Sequence, residues 1–285
     1  MKLVTYRKAD GVQSVGAIKD EGIVDLTSAL SVGSVKQLLE QDLLEQAKVA
    51  TESESPQVAL ADVILDIPVP DPQKIFCIGV NYMNRNAEYK DGSAAPEYPS
   101  IFVRNPLSFT GHGQSLIRPP ESNQLDYEGE IVLVIGKPGR RISRSDAMQH
   151  VAGLTIMNEG SIRDWLRHGK FNVTQGKNWD RSGAIGPAIQ TDLSAIDPTD
   201  MHIETWVNDE LRQSDTTASM AFPFNKLIEY VSTFCTLCPG DMIATGTPTG
   251  AGARFDPPKW LVPGDTVRVV VDGVGTLENG IADET

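Results

Sequence analysis

The alternation of hydrophobic and polar residues divides the chain into a short N-terminal part and a longer, strand-rich part. Three short apolar runs bounded by Gly and Asp predict the first strands, at Leu3–Tyr6, Ser14–Ile18 and Gly22–Leu26. Apolar residues then recur at helical spacing between Val35 and Val49, which predicts one amphipathic helix. The proline-rich stretch Ile67–Pro72 interrupts this pattern. We therefore predict a small N-terminal α+β domain over residues 1–70 and a larger domain over residues 71–285.

The larger part consists mainly of short apolar runs separated by turn residues. The predicted strands are Ile75–Val80, Ile101–Arg104, Glu128–Ile135, Gly153–Asn158, Ile203–Val207, Met242–Thr245 and Thr266–Val271. The predicted helices are Arg144–His150, Ile162–Gly169 and Asn225–Phe234. Gly and Pro together account for 43 of the 285 residues, which fits many turns better than a helical bundle. The fold class predicted from these patterns is mixed α/β and β-rich.

Two glutamates at the start of one apolar run are the most informative feature of the chain. On a strand, side chains two residues apart share a face, so Glu128 and Glu130 point the same way, with Val132 and Val134 behind them. Carboxylates about 7 Å apart along a strand can converge on one cation. Gly129 leaves the opposite face bare, and the apolar continuation suits a central strand. A solvent-facing edge strand kept soluble by two glutamates is the alternative.

A third carboxylate, Glu159, follows a predicted strand and precedes the predicted helix that Ser161 would cap. Three carboxylates without an obligatory His or Cys favour Mg²⁺ or Mn²⁺, or Ca²⁺, over zinc. Paired carboxylates also serve as acid and base in glycosidases, but residues two apart on a strand are too parallel to flank a sugar bond. Glu128, Glu130 and Glu159 are therefore the predicted metal ligands.

Composition and charge exclude several other classes of protein. The formal net charge is −13, which argues against a nucleic-acid partner, and no apolar run approaches the ~20 residues of a membrane span. The polar start predicts no signal peptide, so we expect a cytoplasmic protein. Cys235 and Cys238 form a lone C-x-x-C, better interpreted as small apolar residues than as a zinc or redox pair. Dinucleotide and P-loop fingerprints are missing from the sequence.

Ordered landmarks along residues 74–281 resemble the fumarylacetoacetate hydrolase superfamily. They are Gly79–Tyr82, Asp126–Glu130, Asn158–Asp164, Gly176–Asp180, Gly186-Pro187, Pro239–Ile243, Thr245–Gly250 and Pro263–Asp265. The resemblance implies a mixed β-sandwich roll behind a small N-terminal domain, a homodimer, and Mg²⁺ or a similar ion on the three glutamates. The branch it most resembles contains 2-hydroxyhepta-2,4-diene-1,7-dioate isomerases and acylpyruvate hydrolases.

The resemblance also implies a small-molecule substrate, a 2-oxo acid with a second carbonyl nearby. We expect a metal-dependent hydrolase that cleaves a C–C bond in a 2,4-dioxo acid, an acylpyruvate-like compound of aromatic or related catabolism. An isomerase or decarboxylase of 2-oxo-heptenedioate-type or oxaloacetate-like substrates is one alternative. A catalytically silent member that binds a 2-oxo acid is another.

Two departures from the family pattern affect the expected reaction. Glu159 replaces the usual Asp as third ligand, one methylene longer. Arg85 stands where the hydrolases commonly have a His, three residues after Tyr82, while the acidic partner Glu88 is kept. Arginine stays protonated near neutrality, so Arg85 cannot be a general base, but it can hold a substrate carboxylate. This exchange leaves room for decarboxylation, for tautomerisation or for a water activated by Glu88 alone.

The remaining site residues are predicted from the matching motifs. Lys177 is expected to donate to a developing oxyanion, with Glu88 and Arg85 as the other catalytic residues, although a surface turn lysine is the alternative. Tyr82, Arg163 and Thr247 are expected to bind substrate. Arg163 could instead pair only with Asp126 or Asp164, and Thr247 could belong to a plain tight turn.

Overall fold

Runs of β-branched and other apolar residues form two main sheets that pack against each other. The computed structural model describes residues 1–84, 97–169 and 172–285. Its strands are β1 (Lys2–Arg7), β2 (Gln13–Lys19), β3 (Gly22–Asp25), β4 (Val58–Ala59), β5 (Ile64–Leu65), β6 (Ile75–Ile78), β7 (Ile101–Val103), β8 (Phe109–Thr110), β9 (Leu116–Arg118), β10 (Leu125–Asp126), β11 (Gly129–Ile135), β12 (Val151–Asn158), β13 (Ser161–Ile162), β14 (Gly183–Gln190), β15 (His202–Val207), β16 (Glu210–Thr216), β17 (Met242–Ala244), β18 (Thr266–Val271) and β19 (Gly275–Asp283). The predicted β-rich, mixed α/β class is confirmed.

Short helices connect and cover these strands. The α-helices of the described ranges are α1 (Leu26–Leu30), α2 (Val35–Glu40), α3 (Leu44–Ser53), α4 (Thr174–Lys177) and α5 (Phe224–Phe234). The last of them packs Leu227, Ile228 and Val231, at helical spacing, into the core between the sheets. No helix in the described ranges is both long enough and apolar enough to cross a membrane.

The larger sheet contains the strand that carries the two glutamates. Its order is β4-β3-β2-β1-β14-β12-β11-β17-β6-β7, with β5 paired to β1 and β8 paired to β14. The smaller sheet has the order β16-β15-β18-β19-β9, and β10 and β13 form a separate pair. Strand β11 thus lies between β12 and β17, well inside the larger sheet, as the sequence predicts for a central strand.

Strand β11 is buried on both faces because it separates two hydrophobic cores. Ile131, Leu133 and Ile135 face the core between the two sheets. Val132 and Val134 face a second core, built with the N-terminal strands and helices. Side chains alternate between the two faces of a strand, so the glutamates share the face of Val132 and Val134, as predicted.

The N-terminal strands are joined to the rest of the chain by backbone hydrogen bonding. Lys2 and Leu3 of β1 pair with Gln190 and Ile189 of β14, so the strands before residue 70 extend the larger sheet. A further backbone bond adds to this connection, since the Thr191 N–H donates to the Met1 carbonyl at 2.9 Å. The division into two domains near residue 70 stays a prediction.

Three predicted helices differ from the observed elements. The helix expected over residues 35–49 is split into α2 and α3 where Asp42 adopts φ 54°, a left-handed conformation that ends a helix. Residues 162–169 form only a 3₁₀ turn, Trp165–Arg167, because Ser161 and Ile162 pair with β10 instead. The third, expected at 144–150, is reduced to the 3₁₀ turn Ala147–His150. In the second case tertiary strand pairing overrides the local pattern.

Candidate active site

Three glutamates meet at the ends of two adjacent strands. Glu128 directly precedes β11, Glu130 lies within it, and Glu159 directly follows β12. One carboxylate oxygen of each lies within 4.8 Å of the other two, and all three side chains are buried. The Glu159 backbone N–H donates to the Glu128 carbonyl at 2.7 Å, which fixes the two strand ends together. We call Glu128, Glu130 and Glu159 the glutamate cluster.

Gly129 permits the close packing behind the glutamate cluster. A Cβ at this position would lie 2.1 Å from Thr205 Oγ1 of β15 in the second sheet. The face of β11 opposite the glutamates, which has no side chain at Gly129, is therefore covered by the second sheet. Any side chain at this position would push the two sheets apart.

Two cations, the buried Lys177 and the partly buried Arg163, neutralise part of the charge of the glutamate cluster. Lys177 Nζ lies 2.5 Å from Glu128 Oε2 and 3.0 Å from Glu159 Oε2. Arg163 Nη2 lies 2.7 Å from Glu128 Oε1, and its Nε lies 2.7 Å from Asp126 Oδ2. Since Lys177 is only 4% exposed, the surface-turn alternative is excluded. Arg163 makes the Asp126 pair that the sequence left open and also reaches a cluster glutamate.

Sequence reasoning missed Arg104, a fully buried guanidinium beneath Glu159. Its Nη1 donates to the Gly160 carbonyl at 2.8 Å and to Glu159 Oε1 at 3.4 Å. Its Nε and Nη2 donate to Ser108 and Ser182, and the guanidinium stacks on Phe109 at 4.2 Å. The available signal was a charged residue that ends a predicted apolar strand, the same kind of signal that identified Glu128 and Glu130. Arg104 anchors the turn that carries the third glutamate.

The electrostatics of the cluster fit a bound divalent cation. Burial and the neighbouring carboxylates Glu159 and Glu128 hold the pKa of Glu130 well above its usual range. Burial also raises the pKa of Glu159, against the opposing effect of Lys177. For Lys177, burial lowers the pKa, but Glu128 and Glu159 outweigh it and leave the ammonium charged. The raised pKa values show that Glu130 and Glu159 resist ionisation without a cation, and three converging buried carboxylates are a donor set suited to a hard cation.

These pKa shifts predict how stability depends on pH and metal. Above the ordinary glutamate pKa of 4.5, the folded metal-free protein holds more protons on Glu130 and Glu159 than the unfolded chain. The contribution of these groups to stability therefore falls as pH rises through the raised pKa values. A divalent cation must displace the same protons, so its binding should strengthen with pH. We expect the Mg²⁺-induced rise in Tm to grow from about pH 5 to about pH 8. Thermal melts in EDTA and in Mg²⁺ test this, and a constant or shrinking rise would contradict it.

Two of the other predicted site residues, Tyr82 and Thr247, are buried. Tyr82 is fully buried, and its hydroxyl has no hydrogen-bond partner within the described ranges. Burial, followed by Glu130, raises the Tyr82 pKa, so the phenol stays neutral. Thr247 is buried next to Gly246, whose N–H donates to Glu130 Oε2 at 2.8 Å. Arg85 and Glu88 lie outside the described residues, and their roles stay predictions.

A cleft of about 480 Å³ leads to the cluster. Glu128, Glu159, Arg163 and Lys177 are among its lining residues. The apolar part of its wall comes from Val80, Ile101, Phe102, Val103, Leu166 and Val173. Charged groups and an apolar wall thus meet in one concave space, the usual form of a small-molecule site.

Comparisons with known proteins show which proteins this chain resembles. The family described as fumarylacetoacetate (FAA) hydrolase C-terminal matches residues 74–282. Oxaloacetate tautomerase YisK of Bacillus subtilis (strain 168) is 44% identical over 226 residues, 78% of this chain and 74% of that protein. Among solved structures, a probable 2-hydroxyhepta-2,4-diene-1,7-dioate isomerase from Mycobacterium abscessus is 33% identical, with a TM-score of 0.82. Maleylpyruvate hydrolase from Sphingobium sp. SYK-6, in complex with manganese (II) ion and pyruvate, is 26% identical, also with a TM-score of 0.82.

Both structural comparisons cover 100% of each chain. The family match covers most of this chain and contains the whole glutamate cluster, Lys177 and Arg163. The chain belongs to the fumarylacetoacetate hydrolase family.

Proposed function

We propose that this chain is a divalent-metal-dependent tautomerase that interconverts the keto and enol forms of oxaloacetate. The observation that carries the proposal is the placement of Lys177 and Arg163 against the glutamate cluster in the cleft. The similarity to a named oxaloacetate tautomerase supports the choice of reaction over the hydrolysis expected first.

Tautomerisation needs less from the site than hydrolysis does. A proton leaves C3 of oxaloacetate, an enolate forms, and a proton is added to the oxygen at C2, with no water consumed. Among the described residues that line the cleft, none is a histidine, and Arg85 occupies the position where the hydrolases commonly have one. A reaction without an activated water fits these residues better.

The charges around the site favour an anionic substrate. Asp126 and the glutamate cluster carry four negative charges when all are ionised, one more than the three positive charges of their partners Arg104, Arg163 and Lys177. A bound divalent cation would reverse the sign of that net charge. A substrate with a carboxylate beside its 2-oxo group is then attracted to the cleft.

The glutamate cluster would hold the cation, which we propose is Mg²⁺ or Mn²⁺. When bound, it would supply Lewis-acid polarisation of the substrate 2-oxo group. The Lys177 ammonium donates to the oxygen on which negative charge develops, and Arg163 keeps Glu128 in place for the cation. Arg104 holds the turn at Glu159, so that the third ligand stays aligned with the other two.

The experiment that tests this function follows oxaloacetate from its enol form. The enol absorbs in the ultraviolet, so its loss is recorded directly, with pyruvate release measured in parallel to detect decarboxylation. We expect rapid enol loss with Mg²⁺ or Mn²⁺, little above background in EDTA, and no matching pyruvate. Metal-dependent pyruvate release in step with enol loss would make the chain a decarboxylase instead. Absence of metal-dependent enol loss would refute the proposed function.

Hydrolysis of an acylpyruvate is the second candidate function. The structural similarity to maleylpyruvate hydrolase and the retained Glu88 favour it. The same preparation, offered an acylpyruvate, would release pyruvate and a second acid if this candidate is right. The homodimer and the lack of nucleic-acid and membrane partners stay predictions.

A further inference from the structure

A single glutamine connects the strand of the glutamate cluster to the turn that carries Thr247. Gln213 lies on β16 of the second sheet and is only 1% exposed. Its Oε1 accepts from the Gly129 N–H at 3.0 Å. Its Nε2 donates to Thr247 Oγ1 at 2.8 Å and to the Pro248 carbonyl at 2.9 Å. One side chain thus bridges the strand of the glutamate cluster and the turn of Thr247.

The orientation of this amide is fixed by chemistry. The backbone N–H of Gly129 can only donate, so the Gln213 atom facing it is the oxygen. The carbonyl of Pro248 can only accept, so the atom facing it is the amide nitrogen. Thr247 Oγ1, which lies beside the same nitrogen, must therefore act as an acceptor. The hydroxyl proton of Thr247 is therefore not used in the bond to Gln213, and no acceptor for it lies within the described ranges.

The turn around Thr247 is also fixed to the cluster from the other side. Gly246 donates its N–H to Glu130 Oε2 and adopts φ 97°. A Cβ there would meet Asn81 Cβ at 2.8 Å and would be strained by the positive φ. Thr247 is therefore positioned between a cluster glutamate and Gln213, with little freedom to rotate.

We propose that Gln213 is a positioning residue that directs the Thr247 hydroxyl proton toward the carboxylate of a bound 2-oxo acid. The inference rests on the proposed function, because it takes a 2-oxo acid as the ligand. Gln213 touches neither the cluster carboxylates nor the substrate in this scheme. It acts by donating to Thr247 Oγ1, so that the hydroxyl accepts from Gln213 and keeps its own proton for the ligand.

Gln213→Glu tests the inference because it keeps the shape of the side chain and replaces its N–H donor with an oxygen that can only accept. The carboxylate still accepts from Gly129 N–H, but its second oxygen cannot donate to Thr247, whose hydroxyl turns to donate to the new carboxylate. We expect the Kd of pyruvate for the Mn²⁺-loaded protein to rise about tenfold, the loss of one hydrogen bond to a charged ligand. The Kd of Mn²⁺ measured without pyruvate should change by less than about threefold, which is well below the tenfold change expected for pyruvate.

Thr247→Val and the double variant separate positioning from a general structural role. Removing the hydroxyl in Thr247→Val should raise the Kd of pyruvate by a similar factor, and Thr247→Ser should keep the wild-type Kd. If Gln213 acts through Thr247, the double variant should lose no more than either single variant. Additive losses, or unchanged pyruvate affinity in Gln213→Glu or in Thr247→Val, would overturn the inference. Calorimetry with pyruvate needs no turnover, so failure of the tautomerase proposal would show separately, as wild-type protein that binds pyruvate without consuming the enol.

Discussion

Glutamine in place of Glu130 should abolish turnover of oxaloacetate and at the same time stabilise the metal-free protein. The side chain is 1% exposed, and burial beside Glu159 and Glu128 raises its pKa well above the usual range. A neutral amide of the same size removes that electrostatic cost while its oxygen still accepts from Gly246 N–H. We expect a gain of about 1 kcal/mol or more in the metal-free state, or roughly 2–4 °C in Tm.

The metal-binding measurement separates this outcome from simple unfolding. Mn²⁺ should bind Glu130→Gln more than about a hundredfold more weakly, since even an outer-shell partner of a metal commonly affects affinity by about 10–100-fold. Glu121→Gln is the matched control, because that glutamate is exposed and its loss changes only the net charge. Retained turnover in Glu130→Gln, or a Mn²⁺ affinity equal to that of the control, would refute the assignment of Glu130 as a ligand.

Local sequence was enough to place the glutamates on one strand face. The period of two that joins Glu128, Glu130, Val132 and Val134 depends only on backbone geometry, and the structure confirms it. That Glu159 lies beside Glu128 depends instead on the pairing of β11 with β12, which no local pattern specifies. The ordered family motifs supplied that information, since they carry the outcome of the tertiary fold.

The residues that escaped prediction are those whose roles arise from long-range packing. Gln213 belongs to a mostly exposed strand and is 84 residues from Gly129, so nothing near it in sequence reveals its bridging role. Arg104 was included in a predicted strand but not seen as a buried cation, because an arginine at a strand end is ordinarily solvated. The helix expected after Ile162 failed for a related reason. Pairing of Ser161 with Asp126 satisfied the backbone there, and helix propensity is too weak a preference to oppose it.

Methionine in place of Lys177 should separate metal binding from catalysis. The Lys177 side chain is 5% exposed and its ammonium lies within 3.0 Å of both Glu128 and Glu159, so its removal leaves two buried carboxylates without that partner. Breaking such a pair typically costs about 3–5 kcal/mol, and the metal-free variant should melt well below the wild type. Because a bound cation no longer competes with the ammonium for these oxygens, Mn²⁺ should bind at least as tightly as in wild type and should restore most of the lost Tm.

Turnover should nevertheless stay low in the metal-loaded Lys177→Met protein. Loss of one donor to a developing oxyanion lowers kcat by about 10²–10³-fold, whereas the KM for oxaloacetate should change much less. Lys259→Met is the matched control, since Lys259 pairs with Glu210 at the surface, far more exposed than Lys177. If metal-loaded Lys177→Met turned over the enol at the rate of that control, the lysine would serve only to neutralise the glutamate cluster. The combination of full metal occupancy and lost turnover is the result that a donor to the enolate oxygen requires.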